Sequence, residues 1–472
     1  MAETFDVMIL GGGTGGYVAA IRASQLGLSV AVVEADKLGG TCLHQGCIPS
    51  KALLRSAELF HAVQDDAFGI VSSDLHFDLP KAMDRKQKIV DQLHKGVAFL
   101  MKKNQVRVIE GYGRIMGPSI FSPSAGAVRV EYADGETEIF TPKHTIIATG
   151  SKPRALPQLP FDGEWVISSD DALRLETLPD SLLIVGAGAI GLEWASMMAD
   201  LGVKVTLLEA LPQILPQEDE EVAKEMARLL KKRKVEVFTN ATLDAASVRD
   251  ENGISMIDAV IDNERKTFTP DKILVAIGRK ANVDDIGLEA TNVVVERGVI
   301  VVDAQMRTAE SSIFAIGDVI GRLQLAHVAS HEGILAVEAI AGITTEEIDY
   351  TKIPRCTYTR PEVASVGITE KQAKEQGYEI KVGKYSLRAH GKAMVYGEND
   401  GFVKIIADAK TDDLLGVHIL GPHATELIAQ AALSEFLDAT PFELGTVIHA
   451  HPTLSEAIGE AALIVQGRGI HG

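Results

Sequence analysis

Cysteine is scarce in this chain, with three in 472 residues. Such scarcity excludes a disulfide-stapled secreted scaffold, which is far denser in cysteine. Long apolar runs are missing too: none approaches the ~20 residues a helix needs to cross a bilayer. The opening residues carry acids at Glu3 and Asp6, and the apolar run behind them breaks at Gly11, so no signal peptide is expected. Basic residues are outnumbered, 46 Lys and Arg against 65 Asp and Glu, for a net charge of −19. Nothing here neutralises phosphate in bulk, so nucleic acid and anionic membranes are not expected partners. A basic partner surface would suit the charge. Low-complexity segments are also absent, and a soluble, cytoplasmic protein is expected.

What is present begins with length: 472 residues correspond to about three domains, and 46% hydrophobic content allows real cores. The apolar run Phe5 to Leu10 leads into Gly11-Gly12-Gly13-Thr14-Gly15-Gly16. Tyr17 to Leu26 then reads as a helix, and Ser29 to Val33 as a strand ending at Glu34. Gly11, Gly13 and Gly16 occupy the places of a Gly-x-Gly-x-x-Gly loop between strand and helix. The first makes the tight turn, the second admits a pyrophosphate, and the third lets helix pack on strand. Glu34, 18 residues after Gly16, suits a ribose hydroxyl.

The pattern recurs 175 residues later. Leu182 to Val185 is the strand, Gly186, Gly188 and Gly191 are the glycines, and Val203 to Leu208 is the second strand, with Glu209 again 18 residues past the last glycine. One such loop is weak evidence; two with matching strand, helix and acid are strong evidence. The chain is expected to carry two dinucleotides. Acids at both ribose positions, and no arginine in Ala210 to Gln213, favour FAD and NAD over a 2′-phosphorylated cofactor.

Elsewhere Lys81 to Asn104 reads as a helix, Arg107 to Val130 as strands with turns, and Lys143 to Thr149 as an apolar strand. Pro153 to Pro160 reads as a linker, Lys272 to Arg279 as one closing strand, and Ile313 to Asp318 as a strand ending in an acid. Asp318 is either a turn aspartate or a carboxylate on a cofactor hydroxyl. From Tyr350 onward, strands at Phe402 to Ile406 and Gly416 to Ile419 and helices from about Glu426 and Ser455 indicate a separate domain.

Two of the cysteines, Cys42 and Cys47, lie five apart in Cys42-Leu43-His44-Gln45-Gly46-Cys47. Beside a redox cofactor they read as a disulfide that opens and closes. Positions five apart in an undistorted helix have Cα atoms roughly 8.7 Å apart, whereas a disulfide wants less than about 7 Å. Gly46 gives room for local relaxation, and a bond across so strained a stretch would be easier to reduce than a staple. Two inert buried thiols remain the ordinary alternative. Metal binding lacks support, since His44 and His61 make no zinc spacing. Cys356 has no nearby partner and reads as a small buried residue.

Near the C-terminus His451 and Glu456 admit two readings. A histidine near its ordinary titration range is a fit base for a thiol, with the carboxylate orienting its ring. Thr453-Leu454-Ser455-Glu456 also has the form of a capping box, in which Glu456 reaches back to the helix start. Residues alone leave both open.

Gly40 to Lys51, the two glycine units, Ala315-Ile316-Gly317-Asp318, Tyr358 to Ala364 and His449 to Glu456 occur in the order found in class I flavoprotein disulfide reductases. From Phe5 to about Ala462 the chain resembles that family, and its wording looks most like the branch that oxidises dihydrolipoyl groups. Gln324 to Gly333 further resembles bacterial members serving branched-chain 2-oxo acid dehydrogenase complexes. The resemblance implies an α/β fold with two Rossmann-like dinucleotide-binding domains and a C-terminal α+β dimerisation domain. Residues 1–150 would begin the FAD-binding domain, 151–279 bind NAD, 280–348 complete the FAD-binding central domain, and 349–472 form the dimer interface.

It also implies roles. Cys42 would be the thiol that forms a mixed disulfide with the lipoyl group, and Cys47 the thiolate facing the flavin. Pro49 suits a helix start, placing Cys47 where a helix N-terminus favours its thiolate. Lys51 would lie near the flavin ring, paired with Glu193; otherwise both are ordinary helix charges. His451, held by Glu456, would be the base, chosen over His449 because it directly precedes proline, and would serve the other subunit of a homodimer. Thr149, Gly150, Asp318 and Ala326 would join the FAD site, and Gly278 the NAD site; no metal is implied. Lipoyl domains and the acyltransferase subunit of a 2-oxo acid dehydrogenase complex are the implied partners.

Other readings fit less well. Glutathione reductase prefers NADPH, against which Glu209 argues, and mercuric reductase wants cysteines that Gly467 to Gly472 lack. A soluble transhydrogenase does not need both Cys42 and Cys47, and a non-catalytic redox sensor gives His451 and Glu456 no purpose.

Overall fold

A computed structural model describes residues 4–71, 73–118 and 125–471. The first three residues, read above for a signal, lie outside it, as do residues 119–124 of the stretch read as strands, and Gly472. The chain divides into two compact units. The first comprises the residues up to Ala52, Pro80–Arg154 and Arg279–Ile348; the second comprises Leu53–Leu79, Ala155–Gly278 and the residues from Asp349 on.

The first unit is built on a parallel sheet ordered Ile313–Ala315, His144–Ile147, Val7–Leu10, Val30–Glu34, Arg107–Glu110. Its central strands are covered on both faces, so Val7–Leu10 is apolar throughout rather than alternating. The helix Thr14–Gln25 packs close because Gly16 has no side chain: a Cβ there would sit 1.9 Å from the Gly11 carbonyl oxygen. A second helix, Ala326–Ile340, lies against it across Gly15 and Gly333. Tyr112–Met116, Ala127–Glu131 and Thr137–Phe140 make a small antiparallel sheet.

The second unit repeats the parallel plan, ordered Glu236–Phe238, Lys204–Leu208, Ser181–Val185, Lys272–Val275, Val166–Ile167. Gly191 repeats the close approach of Gly16, 1.9 Å from the Gly186 oxygen. The stretch read as one strand to Arg279 stops at Val275; Gly278 takes a positive φ of 111°, and Arg279–Ala281 pairs with Ser151–Pro153 in the first unit instead. The second unit also holds an antiparallel sheet ordered Arg355–Thr357, Glu362–Gly367, Leu414–Gly421, Phe402–Asp408, Ile380–Ser386. Helices Ala424–Phe436 and Glu456–Val465 cover it.

Lys404, inside an apolar strand, is 1% exposed and is met by Asp219 at 2.9 Å, Glu221 at 2.8 Å and Glu370 at 2.7 Å. Three carboxylates make that burial tolerable. Cys356, read as a small buried residue, is half-buried, because Arg355–Thr357 is the outermost strand of its sheet. Among the described residues no helix is long and apolar enough to cross a membrane.

Glu435 is an uncompensated buried carboxyl. It is 5% exposed, and neither carboxylate oxygen has a hydrogen-bond partner among the described residues. Burial pushes its carboxyl up to about 8; Lys352 and Arg355 oppose this and Asp349 adds to it. The folded chain therefore binds this proton more tightly than the unfolded chain does. The group's stabilising contribution is full below its ordinary value of 4.5 and is lost as pH rises toward 8, at up to about 1.4 kcal/mol per pH unit. Glu435→Gln is expected to raise Tm at pH 8 more than at pH 5 in thermal melts; equal shifts at both would contradict this assignment.

Candidate functional site

Each parallel sheet ends in a glycine loop of the same construction. Gly11 and Gly186 turn at φ 102° and 100°. Gly13 and Gly188 cap the helices that follow, neither with a side chain. A Cβ on Gly13 would meet only the Gly40 Cα, at 3.8 Å, and one on Gly188 would meet nothing within 4 Å. That clear space before backbone N–H groups fits a dinucleotide pyrophosphate. Glu34 accepts from the Gly12 and Asp36 N–H groups at 2.7 and 2.8 Å. Glu209 does the same for Ala187 and Leu211, at 2.8 and 2.9 Å. Each acid thus stiffens its loop and, with further lone pairs, retains capacity for a ribose hydroxyl.

The cysteines sit directly against the first loop. The Gly39 N–H donates to the Gly12 carbonyl at 2.8 Å, and Gly13 and Gly39 form a bridge. A Cβ on Gly40 would fall 2.6 Å from the Gly13 Cα, so only glycine permits this approach. From there the helix Gly40–Gln45 carries Cys42. The single helix assumed for the five-residue spacing is not present: Gly46 breaks it, and Cys47 begins a new helix, Cys47–Gln64. The Gly46 carbonyl accepts from Ser50 N–H at 3.1 Å, starting that helix.

Cys42 and Cys47 are half-buried thiols whose side chains hydrogen-bond to each other. That bond, then burial and the Cys47 charge, push the Cys42 thiol far up, while the Thr14 hydroxyl and a Cys47 backbone bond pull the other way. Cys47, at the head of a long helix, lies where the backbone dipole favours a thiolate. Lys51 lies one turn further along and is half-buried. His44 and His94 both bond to the Leu38 carbonyl, at 2.9 and 3.0 Å, and so fix the chain entering the Cys42 helix.

Around the same sheet, Thr149 donates to the Asn282 carbonyl at 2.7 Å, and Asn282 returns a bond to the Thr149 carbonyl at 2.9 Å. Gly150 follows at φ 69° with open space where a Cβ would stand. Asp318 accepts from the Ser151 hydroxyl, which also takes the Arg279 Nε at 2.7 Å. Ala326 opens the helix Ala326–Ile340.

In the second unit, Glu193 is not a surface charge: it is buried on the helix Ala189–Asp200 and accepts from the Tyr358 N–H at 3.0 Å. Ser196 and Asp200 continue its face. Ser196 takes the Arg360 N–H at 2.9 Å, and Asp200 takes Arg360 and Arg233 at 2.7 and 2.8 Å. The Tyr358 to Ala364 motif is thus clamped to this helix. Sequence reasoning missed Ser196 and Asp200, although polar residues spaced three and four apart in an apolar helix were a readable signal.

His451 and Glu456 are paired, and Glu456 also makes one half of the capping box read at Thr453. His451 Nδ1 lies 2.9 Å from Glu456 Oε1, while Glu456 Oε2 accepts from the Thr453 N–H at 2.8 Å. The other half of the capping box is absent, since Thr453 Oγ1 donates to the Ala450 carbonyl instead. Burial raises Glu456, but the Thr453 N–H and His451 outweigh it and hold the carboxyl below its usual range. The His451 side chain is 80% exposed, leaving Nε2 toward solvent. His449 is engaged otherwise, 3.0 Å from the Gln430 amide.

Comparison with known proteins agrees with the motif order. The family model described as pyridine nucleotide-disulphide oxidoreductase matches residues 5–333, and the dimerisation domain of the same family matches 353–462. A Bacillus subtilis protein named dihydrolipoyl dehydrogenase is 56% identical, and one of that name from Zymomonas mobilis is 44% identical; each match covers 100% of both chains. Among solved structures, LpdA from Mycobacterium tuberculosis superposes with a TM-score of 0.89 at 29% identity, over 97% of this chain and 99% of that one. The HOCl-induced flavoprotein disulfide reductase RclA of Escherichia coli gives 0.86 at 27%, over 98% and 100%. With two paired glycine-loop sheets, a thiol pair built onto the first, and these matches along nearly its whole length, the chain belongs to the pyridine nucleotide-disulphide oxidoreductase family.

Proposed function

We propose that this protein is an NAD-dependent oxidoreductase that reoxidises protein-bound dihydrolipoyl groups, as its curated relatives' name states of them. The observation that carries this reading is the Cys42–Cys47 pair, in side-chain contact and built onto a dinucleotide loop. FAD and NAD are the cofactors: when bound, FAD would supply the two-electron acceptor for the thiol pair, and NAD the final acceptor. Gly11, Gly13, Gly16, Glu34, Thr149, Gly150, Asp318 and Ala326 would hold the first; Gly186, Gly188, Gly191, Glu209 and Gly278 would hold the second. Residues 1–150 with 280–348 bind FAD, residues 151–279 bind NAD, and residues 349–472 form the dimer interface.

In turnover Cys42 exchanges disulfides with the lipoyl group, and Cys47 is released as a thiolate held by its helix N-terminus. Lys51, one turn beyond Cys47 on the same helix, adds positive charge near that sulfur. His451 removes protons from the lipoyl thiols through Nε2, and Glu456 fixes Nδ1 as the protonated nitrogen and steadies the imidazolium. In a homodimer this pair serves the partner subunit's thiols. The substrate is a lipoyl domain docked with the acyltransferase subunit of a 2-oxo acid dehydrogenase complex, and the −19 charge suits a basic docking module. Sparse cysteine suits a cytoplasmic setting.

The direct experiment compares dihydrolipoamide-dependent reduction of NAD with that of NADP, and glutathione disulfide as rival substrate. Strong preference for dihydrolipoamide with NAD is expected; faster turnover with glutathione disulfide and NADPH would overturn the reading. Replacing Cys42 with Ser is expected to stop lipoamide turnover yet leave the thiolate–flavin absorbance, whereas Cys47→Ser removes that absorbance. His451→Gln is expected to lower kcat by about 10²–10⁴ with flavin retained, and an unchanged kcat would remove the residue from the mechanism. A monomer forced by interface substitution, verified by sedimentation, is expected to keep flavin and lose lipoamide activity; full turnover by that monomer would contradict the shared site.

A further inference from the structure

Five of the six residues in Gly11-Gly12-Gly13-Thr14-Gly15-Gly16 lack a side chain, and close approaches explain most of them. A Cβ on Gly12 would meet the Leu38 side chain at 2.7 Å, one on Gly15 the Ala329 carbonyl oxygen at 3.0 Å, and one on Gly16 the Gly11 oxygen at 1.9 Å. Thr14 alone carries a functional group. It is the first residue of its helix, whose N-cap is Gly13, so its hydroxyl is not the helix cap. Its hydroxyl instead hydrogen-bonds to the Cys42 side chain. This meeting is fixed from both sides, because the Gly39 N–H bonds to the Gly12 carbonyl and Gly40 rests against Gly13.

We infer that Thr14 is a positioning residue for Cys42: its hydroxyl holds the sulfur in place and donates to it whenever it carries charge. This inference rests on the proposed dihydrolipoyl chemistry. There, the first lipoyl thiolate attacks Cys42 Sγ, forming the lipoyl–Cys42 disulfide and expelling Cys47 with the electron pair of the broken Cys42–Cys47 bond. The second lipoyl thiolate attacks the lipoyl sulfur of that mixed disulfide, closes the lipoyl disulfide, and expels Cys42 as a thiolate. Both protons of the lipoyl thiols leave to base. Cys42 is the leaving group in the second step, and a lower-energy thiolate leaves faster. Its surroundings otherwise disfavour charge, since the Cys47 contact and burial both raise it. Thr14 is the side chain in contact that opposes them.

The test uses the flavin-bound enzyme, reduced anaerobically with dihydrolipoamide and labelled with iodoacetamide across a pH series, with label at Cys42 and Cys47 resolved by peptide mass. Thr14→Val removes the hydroxyl and keeps the shape. It is expected to slow Cys42 labelling about tenfold at neutral pH and to move the midpoint of its pH–rate profile up by about one unit. Thr14→Ser is expected to restore both. Thr14→Ala supplies the same comparison if the valine variant does not retain flavin. Wild-type rate and midpoint in the hydroxyl-free variant would overturn the role of Thr14, as would a flavin-bound serine variant that fails to restore them. Wild-type enzyme with no thiols to label after dihydrolipoamide would instead overturn the proposed function itself.

Discussion

The molecule's chemistry depends on one short contact, the seat of the Cys42 helix on the first glycine loop. The Gly39 N–H bonds the Gly12 carbonyl, and Gly40 lies so near Gly13 that no side chain fits at Gly40. The loop that admits a pyrophosphate therefore also sets the height and direction of the redox thiols. Glu34 locks the loop from the other side through the Gly12 N–H. The loop cannot be displaced relative to the Cys42 helix without breaking these backbone contacts. Proximity of this sort is what two-electron transfer between thiolate and cofactor demands.

The two sheets show what sequence reveals well. Val7–Leu10 and Ser181–Val185 are buried on both faces, so their apolar runs are continuous, and the glycines and acids that follow recur at identical spacing. Local patterns of that kind are legible because each residue type answers a backbone need at its own position. The helix break at Gly46 was legible in part: the five-residue spacing fits one continuous helix on paper, but a glycine between the cysteines and a proline suited to a helix start both pointed to the new helix that begins at Cys47. Lys404 escaped for a different reason: its three carboxylates come from Asp219, Glu221 and Glu370, none within thirty positions of it. Glu193 and Asp200 were hidden likewise, because their partners Tyr358 and Arg360 lie about 160 residues away. Long-range pairing of polar groups leaves no periodic trace.

Ambiguity in the sequence sometimes reflected a true duality. His451 and Glu456 suited a base pair and a helix cap, and Glu456 meets the imidazole with one oxygen and the Thr453 N–H with the other, although the helix starts only at Glu456 behind Ser455. The Thr453 N–H holds the carboxylate still, and the still carboxylate orients the imidazole. Glu456 is therefore positioned by the backbone before any substrate arrives, which is the preorganisation a proton acceptor needs. Thr14 is similar: a residue inside a nucleotide motif whose side chain turns toward the thiol.

The central claim is that electrons pass between a lipoyl dithiol and a flavin through Cys42 and Cys47. Anaerobic titration of the flavin-bound protein with dihydrolipoamide tests it most directly. The account predicts that one equivalent yields a two-electron-reduced state with long-wavelength absorbance from a thiolate against oxidised flavin. Direct bleaching of the flavin with no such band, and with no thiols appearing at Cys42 and Cys47, would contradict it.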